Sequence, residues 1–226
     1  VKEWNWTMGA AYFTFEDQSQ WVGAVTEALV EDIHAALREN RQVLVAVAGG
    51  RTPGPILARL ARADLPWARV SFIPTDDRLV PEEHPARNAA LLRQWLSPAV
   101  SAGARVMSLE DLQGEVSPHV VLLGFGADCH IASIFPNAEG VDAALALNGE
   151  ADLVRVTPHP LPPEAPFPRI TLTLKALISP RRILIAAAGA EKVTALEKAQ
   201  MADAQATPLA ALLAQDRTPV RAFIRQ

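Results

Sequence analysis

Short apolar, β-branched runs alternate with longer segments of helical period along most of this chain, and that alternation constrains its fold more than any other feature. Residues 12–15, 43–48, 70–74, 120–123, 154–157, 170–173, 183–187 and 220–224 read as strands. Between residues 19 and 38, Val22, Val25, Leu29, Ile33 and Leu37 recur at three- and four-residue spacing, which predicts an amphipathic helix. Further helices are expected over 55–63, about 86–95 and about 208–213. Strands alternating with helices predict an α/β fold, a single-domain, Rossmann-like, mainly parallel sheet flanked by helices. The proline cluster from Pro158 to Pro168 reads as a loop within that domain, because the strand pattern resumes after it. At 226 residues and 50% hydrophobic content, the chain can bury one full core, so residues 1–226 are expected to form one domain.

Charge and cysteine usage narrow the function. A formal net charge of −4 carries no broad basic footprint, so nucleic acid is not an expected partner. The longest apolar runs, 43–48 and 183–188, fall far short of the roughly 20 residues of a membrane helix, so no membrane association is expected. Residues 1–6 lack a basic region followed by an apolar stretch, and no secretory signal is expected there. The single cysteine, Cys129, excludes an intramolecular disulfide and fits a reducing cytoplasm. His34, His84, His119 and His159 have no metal-ligand spacing with each other or with Cys129, so no metal is expected.

Chemistry-bearing residues gather where strands stop, and in a parallel sheet those ends share one rim, where open α/β sheets bind ligands. The run 120–123 leads into Gly124-Phe125-Gly126-Ala127-Asp128-Cys129-His130. Histidine exchanges a proton near neutrality, so His130 is the candidate base. Asp128 is one candidate partner and Asp76, from another strand end, is the other; an Asp128–His130 contact requires a turn. Residues 43–48 lead into Gly49-Gly50-Arg51-Thr52, whose glycines let backbone N–H groups approach a phosphate while Arg51 and Thr52 add donors. No Walker lysine follows, so nucleoside triphosphate binding is not expected. Asp76-Asp77-Arg78 offers carboxylates for orientation or proton handling and an arginine for an anion. Arg169 stands at a strand entry. Lys192 falls in the first turn of a helix, where the dipole disfavours a cation unless an anion is bound nearby.

Five ordered pieces together carry a resemblance: Gly49-Gly50-Arg51-Thr52-Pro53; Asp76-Asp77-Arg78-Leu79-Val80-Pro81 with His84 and Asn88; Gly124 to His130; Arg169-Ile170-Thr171-Leu172-Thr173; and Gly189-Ala190-Glu191-Lys192. The set resembles the 6-phosphogluconolactonases, of the superfamily that includes glucosamine-6-phosphate deaminase. The resemblance implies a cytoplasmic, cofactor-free hydrolase, a monomer or weak homo-oligomer, acting on 6-phospho-D-glucono-1,5-lactone in the oxidative pentose phosphate pathway. It implies His130, Asp76 and Asp128 as catalytic residues, and Gly49, Gly50, Arg51, Thr52, Arg78, Arg169 and Lys192 as the substrate and phosphate site. The residues agree with it: a lactone carbonyl is already electrophilic, so a base and positioning suffice.

The chain departs from that pattern in places. Ala48, Arg51 and Arg87 stand where serines are usual or common, and Asp77 where glutamate is usual; the added arginines suggest a more cationic site. Cys129 replaces a usual glycine, and a positive φ there would cost on the order of 1–3 kcal/mol. Two alternatives share the fold. A glucosamine-6-phosphate deaminase is favoured by Ile131-Ala132 but opposed by Arg78, where that branch usually has tyrosine, and by Phe135, where it has a glutamate. A non-catalytic sugar-phosphate sensor would keep the phosphate site and lose the base, which Asp76, Asp128 and His130 argue against.

Overall fold

A computed structural model of the protein describes residues 2–6, 10–163 and 165–226, with side-chain environments given from residue 11 onward. The elements run in chain order as β1 (Lys2–Trp6), β2 (Ala10–Phe15), α1 (Gln18–Glu39), β3 (Val43–Val47), α2 (Gly54–Leu60), β4 (Val70–Pro74), β5 (Asp76–Arg78), α3 (Asn88–Trp95), α4 (Ser97–Ser101), β6 (Arg105–Val106), β7 (Val120–Leu123), α5 (Val141–Leu145), β8 (Leu153–Val156), β9 (Arg169–Leu172), α6 (Leu174–Leu177), β10 (Ile183–Ala188), α7 (Ala190–Met201), α8 (Pro208–Ala214) and β11 (Val220–Arg225).

Eight strands form the main sheet in the order β1-β2-β11-β10-β7-β3-β4-β6. Every pairing in it is parallel except the antiparallel edge pair β1–β2. Side chains alternate across it as the pleat requires. Val43, Val45 and Val47 of β3, with Val120 and Leu122 of β7, pack on one face with Val25, Leu29 and Ile33 of α1 and with Leu57 of α2. Ala46, Val121, Leu123, Ile183 and Ile185 pack on the other with α6, α7 and α8. Both faces are covered, which is why the central strands read as unbroken apolar runs. α1 starts where Asp17 Oδ1 accepts the Gln20 N–H at 2.8 Å. All five of its spaced apolar residues are buried.

One sequence expectation is corrected. The strands around residues 154 and 170 do not extend the parallel sheet, and Asp76-Asp77-Arg78 is not a loop at its rim. β5, β9 and β8 form a separate antiparallel sheet, with Asp76 opposite Thr171, Asp77 opposite Ile170 and Arg78 opposite Arg169. Thr75 links β4 of the main sheet to β5 of the small one. Its N–H donates to Val47 O at 3.0 Å, continuing the main ladder, while its carbonyl accepts from Leu172 N–H at 2.9 Å, starting the small one. A strand of three residues has no alternation to read, and strand composition does not say which sheet a strand joins. α3 also begins at Asn88, two residues later than the sequence suggests.

Candidate active site

The C-terminal ends of β3, β7 and β10 and the small sheet enclose a cleft of about 210 Å³. Gly49, Gly50, Thr52, Asp76, Arg78, His130, Arg169 and Lys192 line it, joined by Asn88 and Ala132. Eight of the ten predicted site residues therefore converge. The other two do not line it: Arg51 is exposed, and Asp128 meets the cleft only through its contact with His130.

His130 is placed by a tight reversal after β7. The Cys129 N–H donates to Gly126 O at 3.0 Å and the Gly126 N–H to His130 O at 2.9 Å. Cys129 takes φ 65 and Ala132 takes φ 48, so the position does demand the left-handed region that the sequence raised as a concern. Cysteine tolerates it here because its side chain is buried, with the thiol 3.5 Å from Ala195 O of α7, and its carbonyl accepts from Leu209 N–H at 3.0 Å. The turn puts Asp128 Oδ1 2.6 Å from His130 Nδ1. Between the two candidate partners of the imidazole, the structure therefore selects Asp128. With Nδ1–H given to that carboxylate, Nε2 is left as the basic nitrogen. Partial burial raises the Asp128 pKa, but the hydrogen bond and charge of His130 outweigh it and hold the carboxyl below its ordinary range. A Cβ on Gly126 would collide with both Asp128 Oδ1 and His130 Nδ1, so this glycine makes room for the pair.

Asp76 has other partners. Its Oδ2 accepts a short hydrogen bond from Ser133 Oγ and its Oδ1 accepts from Thr75 Oγ1 at 3.3 Å, which holds a carboxylate only 6% exposed at the cleft wall. Asp77 points the other way and is wholly buried. It accepts from the Asn88 N–H at 2.7 Å, the Ala89 N–H at 3.1 Å and the Arg78 N–H at 2.8 Å. Burial pushes its pKa up, while those three donors and Arg87 oppose the rise. Asp77 thus caps α3 and takes no part in the cleft. Arg87, expected to add positive charge to the site, turns away from it as well. Its Nη1 donates to Glu110 Oε1 at 2.7 Å and to Arg78 O at 2.8 Å.

The cationic wall is Arg78, Arg169 and Lys192. Arg78 Nη1 donates to Asn88 Oδ1 and to Ala86 O, both at 2.8 Å. Asn88 in turn donates from Nδ2 to Asp76 O at 2.7 Å. A Cβ on Gly49 would strike the Asn88 amide, so the first glycine of its turn admits a side chain from α3. Gly50, at φ +81, is the residue that requires glycine's backbone freedom. Arg169 is 4% exposed, and burial lowers its pKa against the attraction of Asp76. Among the described residues, the buried Nε atoms of Arg78 and Arg169 have no hydrogen-bond partner. Two guanidinium groups lining one wall suit an anionic ligand. Lys192 Nζ donates to Phe125 O at 2.9 Å, a carbonyl two residues past β7 that partly offsets its unfavourable place in the first turn of α7.

These positions reproduce, in three dimensions, the five pieces singled out in the sequence, and residues 16–220 match the family described as glucosamine-6-phosphate isomerases/6-phosphogluconolactonase. The chain belongs to that family. Among its relatives, a 6-phosphogluconolactonase of Pseudomonas aeruginosa is 34% identical over 85% of this chain and 82% of its own length. One of Helicobacter pylori is 30% identical over 96% of this chain and 98% of its own. The crystal structure of a 6-phosphogluconolactonase from Shewanella baltica superposes with a TM-score of 0.84 at 25% identity, covering 95% of this chain and 97% of that one. Among the described residues, no group of three or more His, Cys, Asp or Glu side chains is placed to hold a metal ion, and no helix is long and apolar enough to cross a membrane.

Three members of the site carry roles the sequence alone did not assign. Asn88 braces Arg78, Ser133 holds Asp76, and Phe135 stacks on His130 with ring centroids 4.2 Å apart. Asn88 and Ser133 lie within or beside the motif pieces, but only the folded chain joins them to partners 12 and 57 residues away.

Proposed function

We propose that the protein hydrolyses 6-phospho-D-glucono-1,5-lactone to 6-phosphogluconate, with His130 as general base, in the cytoplasm. One observation carries this reading: a single cleft joins an imidazole oriented by a carboxylate to a wall of three cationic side chains. The first group suits water activation and the second a phosphate. Neutral His130 accepts a proton at Nε2 from the water that attacks C1, and the resulting imidazolium is stabilised by Asp128. The same imidazolium then returns the proton to the ring oxygen as the C1–O bond breaks. Arg78, Arg169 and Lys192, with the backbone of Gly49 and Gly50 and the Thr52 hydroxyl, bind the phosphate and fix the distance from it to C1. Asp76, held rigid by Ser133, faces the sugar hydroxyls.

The test is a time course on freshly generated 6-phosphogluconolactone, corrected for spontaneous hydrolysis, with glucosamine 6-phosphate in parallel. Lactone turnover without ammonia release is expected, and His130→Asn should lower kcat by about 10²–10⁴-fold. Near-normal turnover by His130→Asn removes the base assignment. Ammonia release moves the reading to the deaminase, and binding without turnover moves it to a sensor.

A further inference from the structure

Phe135 touches both functional halves of the cleft. Its ring stacks on His130 at 4.2 Å between centroids with the planes inclined by 29°, and the Arg169 guanidinium carbon lies 5.2 Å from the same ring centre. The two groups reach it from different sheets: His130 from the turn after β7, Arg169 from the first position of β9. The ring arrives there because the chain reverses between Ile131 and Ile134, where the Ile134 N–H donates to Ile131 O at 2.8 Å and Ala132 holds φ 48.

Among the described residues, each partner's side chain makes a single hydrogen bond. Asp128 holds one nitrogen of the imidazole, which leaves the ring free to swing about that hydrogen bond; a stacked neighbour fixes the plane, and with it the direction of the Nε2 lone pair. Arg169 makes one hydrogen bond, from Nη2 to Ala165 O at 3.1 Å, and its buried Nε has no partner among the described residues, so the Phe135 ring is a main contact steadying the guanidinium.

We propose that Phe135 is a positioning residue that sets the span between base and phosphate arginine, and so selects lactones whose phosphate lies at the far end of a six-carbon chain. This rests on the lactonase reading above. A flat, rigid ring in contact with both groups keeps their separation constant, whereas a flexible aliphatic side chain of similar size lets both drift. A misplacement of about 1 Å costs on the order of 100-fold in rate, and only a substrate anchored at both ends feels it in full.

The test compares 6-phosphogluconolactone with unphosphorylated glucono-δ-lactone for the wild-type protein, Phe135→Leu and Phe135→Tyr, with thermal unfolding of each. Phe135→Met replaces the leucine variant if that one is unfolded at the assay temperature. Phe135→Leu should lower kcat/KM about 10- to 100-fold on the phosphorylated lactone and only a few-fold on the plain one, collapsing the preference between them. Phe135→Tyr, which keeps the ring, should retain the preference. Equal losses on both substrates, an unchanged preference, or a tyrosine variant as impaired as the leucine one overturns the proposal. A wild-type protein that hydrolyses neither lactone overturns the lactonase reading instead.

Discussion

The turn after β3 and the turn after β7 look alike as sequence, each an apolar strand followed by two glycines within three residues, yet their glycines solve different problems. Gly126 clears space for its own loop, whose Asp128 and His130 fold back over the site of its missing Cβ. Gly49 clears space for Asn88, a residue of α3, which reaches across to hold Arg78 and the backbone of Asp76. One turn is a local device serving the base. The other is a long-range device serving the cationic wall. A glycine that suggests a phosphate cradle can therefore owe its place to a neighbouring side chain.

Substitutions can break this contrast or sharpen it. The largest effect is expected from Gly126→Ala, which should displace the Asp128–His130 pair and cut kcat on the order of 100-fold in the lactone assay. Its thermal midpoint should move less than that of a core variant, because the pair it pushes is partly exposed. Gly49→Ala should show the opposite balance. Asn88 is only 1% exposed and cannot yield to solvent, so overpacking should cost about 1–3 kcal/mol in denaturant unfolding. With Arg78 loosened, KM for the phosphorylated lactone should rise several-fold while kcat changes little. If both alanines gave the same division between kcat and KM, the distinction between the turns would be lost.

The smallest effect tests the local pair by pH. Asp128 has a folded pKa held below its unfolded value, so its contribution to stability is complete above the ordinary aspartate range near pH 4 and fades as pH falls through the depressed value. Asp128→Asn should therefore lose a little stability at pH 7 and show a flatter decline in unfolding midpoint below pH 4 than the wild type.

Periodic features were legible in the sequence, and contacts made across the fold were not. The helix carrying Val22, Val25, Leu29, Ile33 and Leu37, and the strands of the main sheet, follow from patterns that local sterics enforce, and they appear with ends shifted by a residue or two. His130, Arg78, Arg169 and Lys192 were legible as candidates because three stand where strands begin or stop and Lys192 opposes the dipole of its helix's first turn. The partner of His130 was not, since it depends on Cys129 adopting φ 65, a conformation its residue type disfavours. Arg51 and Arg87 look equally cationic on paper. One is exposed outside the cleft and the other is turned toward Glu110, because direction is set by neighbours that sequence order does not reveal.

The single-residue passage at Thr75 divides the cleft into two mechanical parts. Asp76, Arg78 and Arg169 ride together on the small sheet, while His130 follows β7 and Lys192, on α7, follows β10 of the main one. Ser133, three residues after His130, bonds Asp76, and Asn88 of α3 bonds Arg78, so any tilt of the small sheet about Thr75 strains those two hydrogen bonds first.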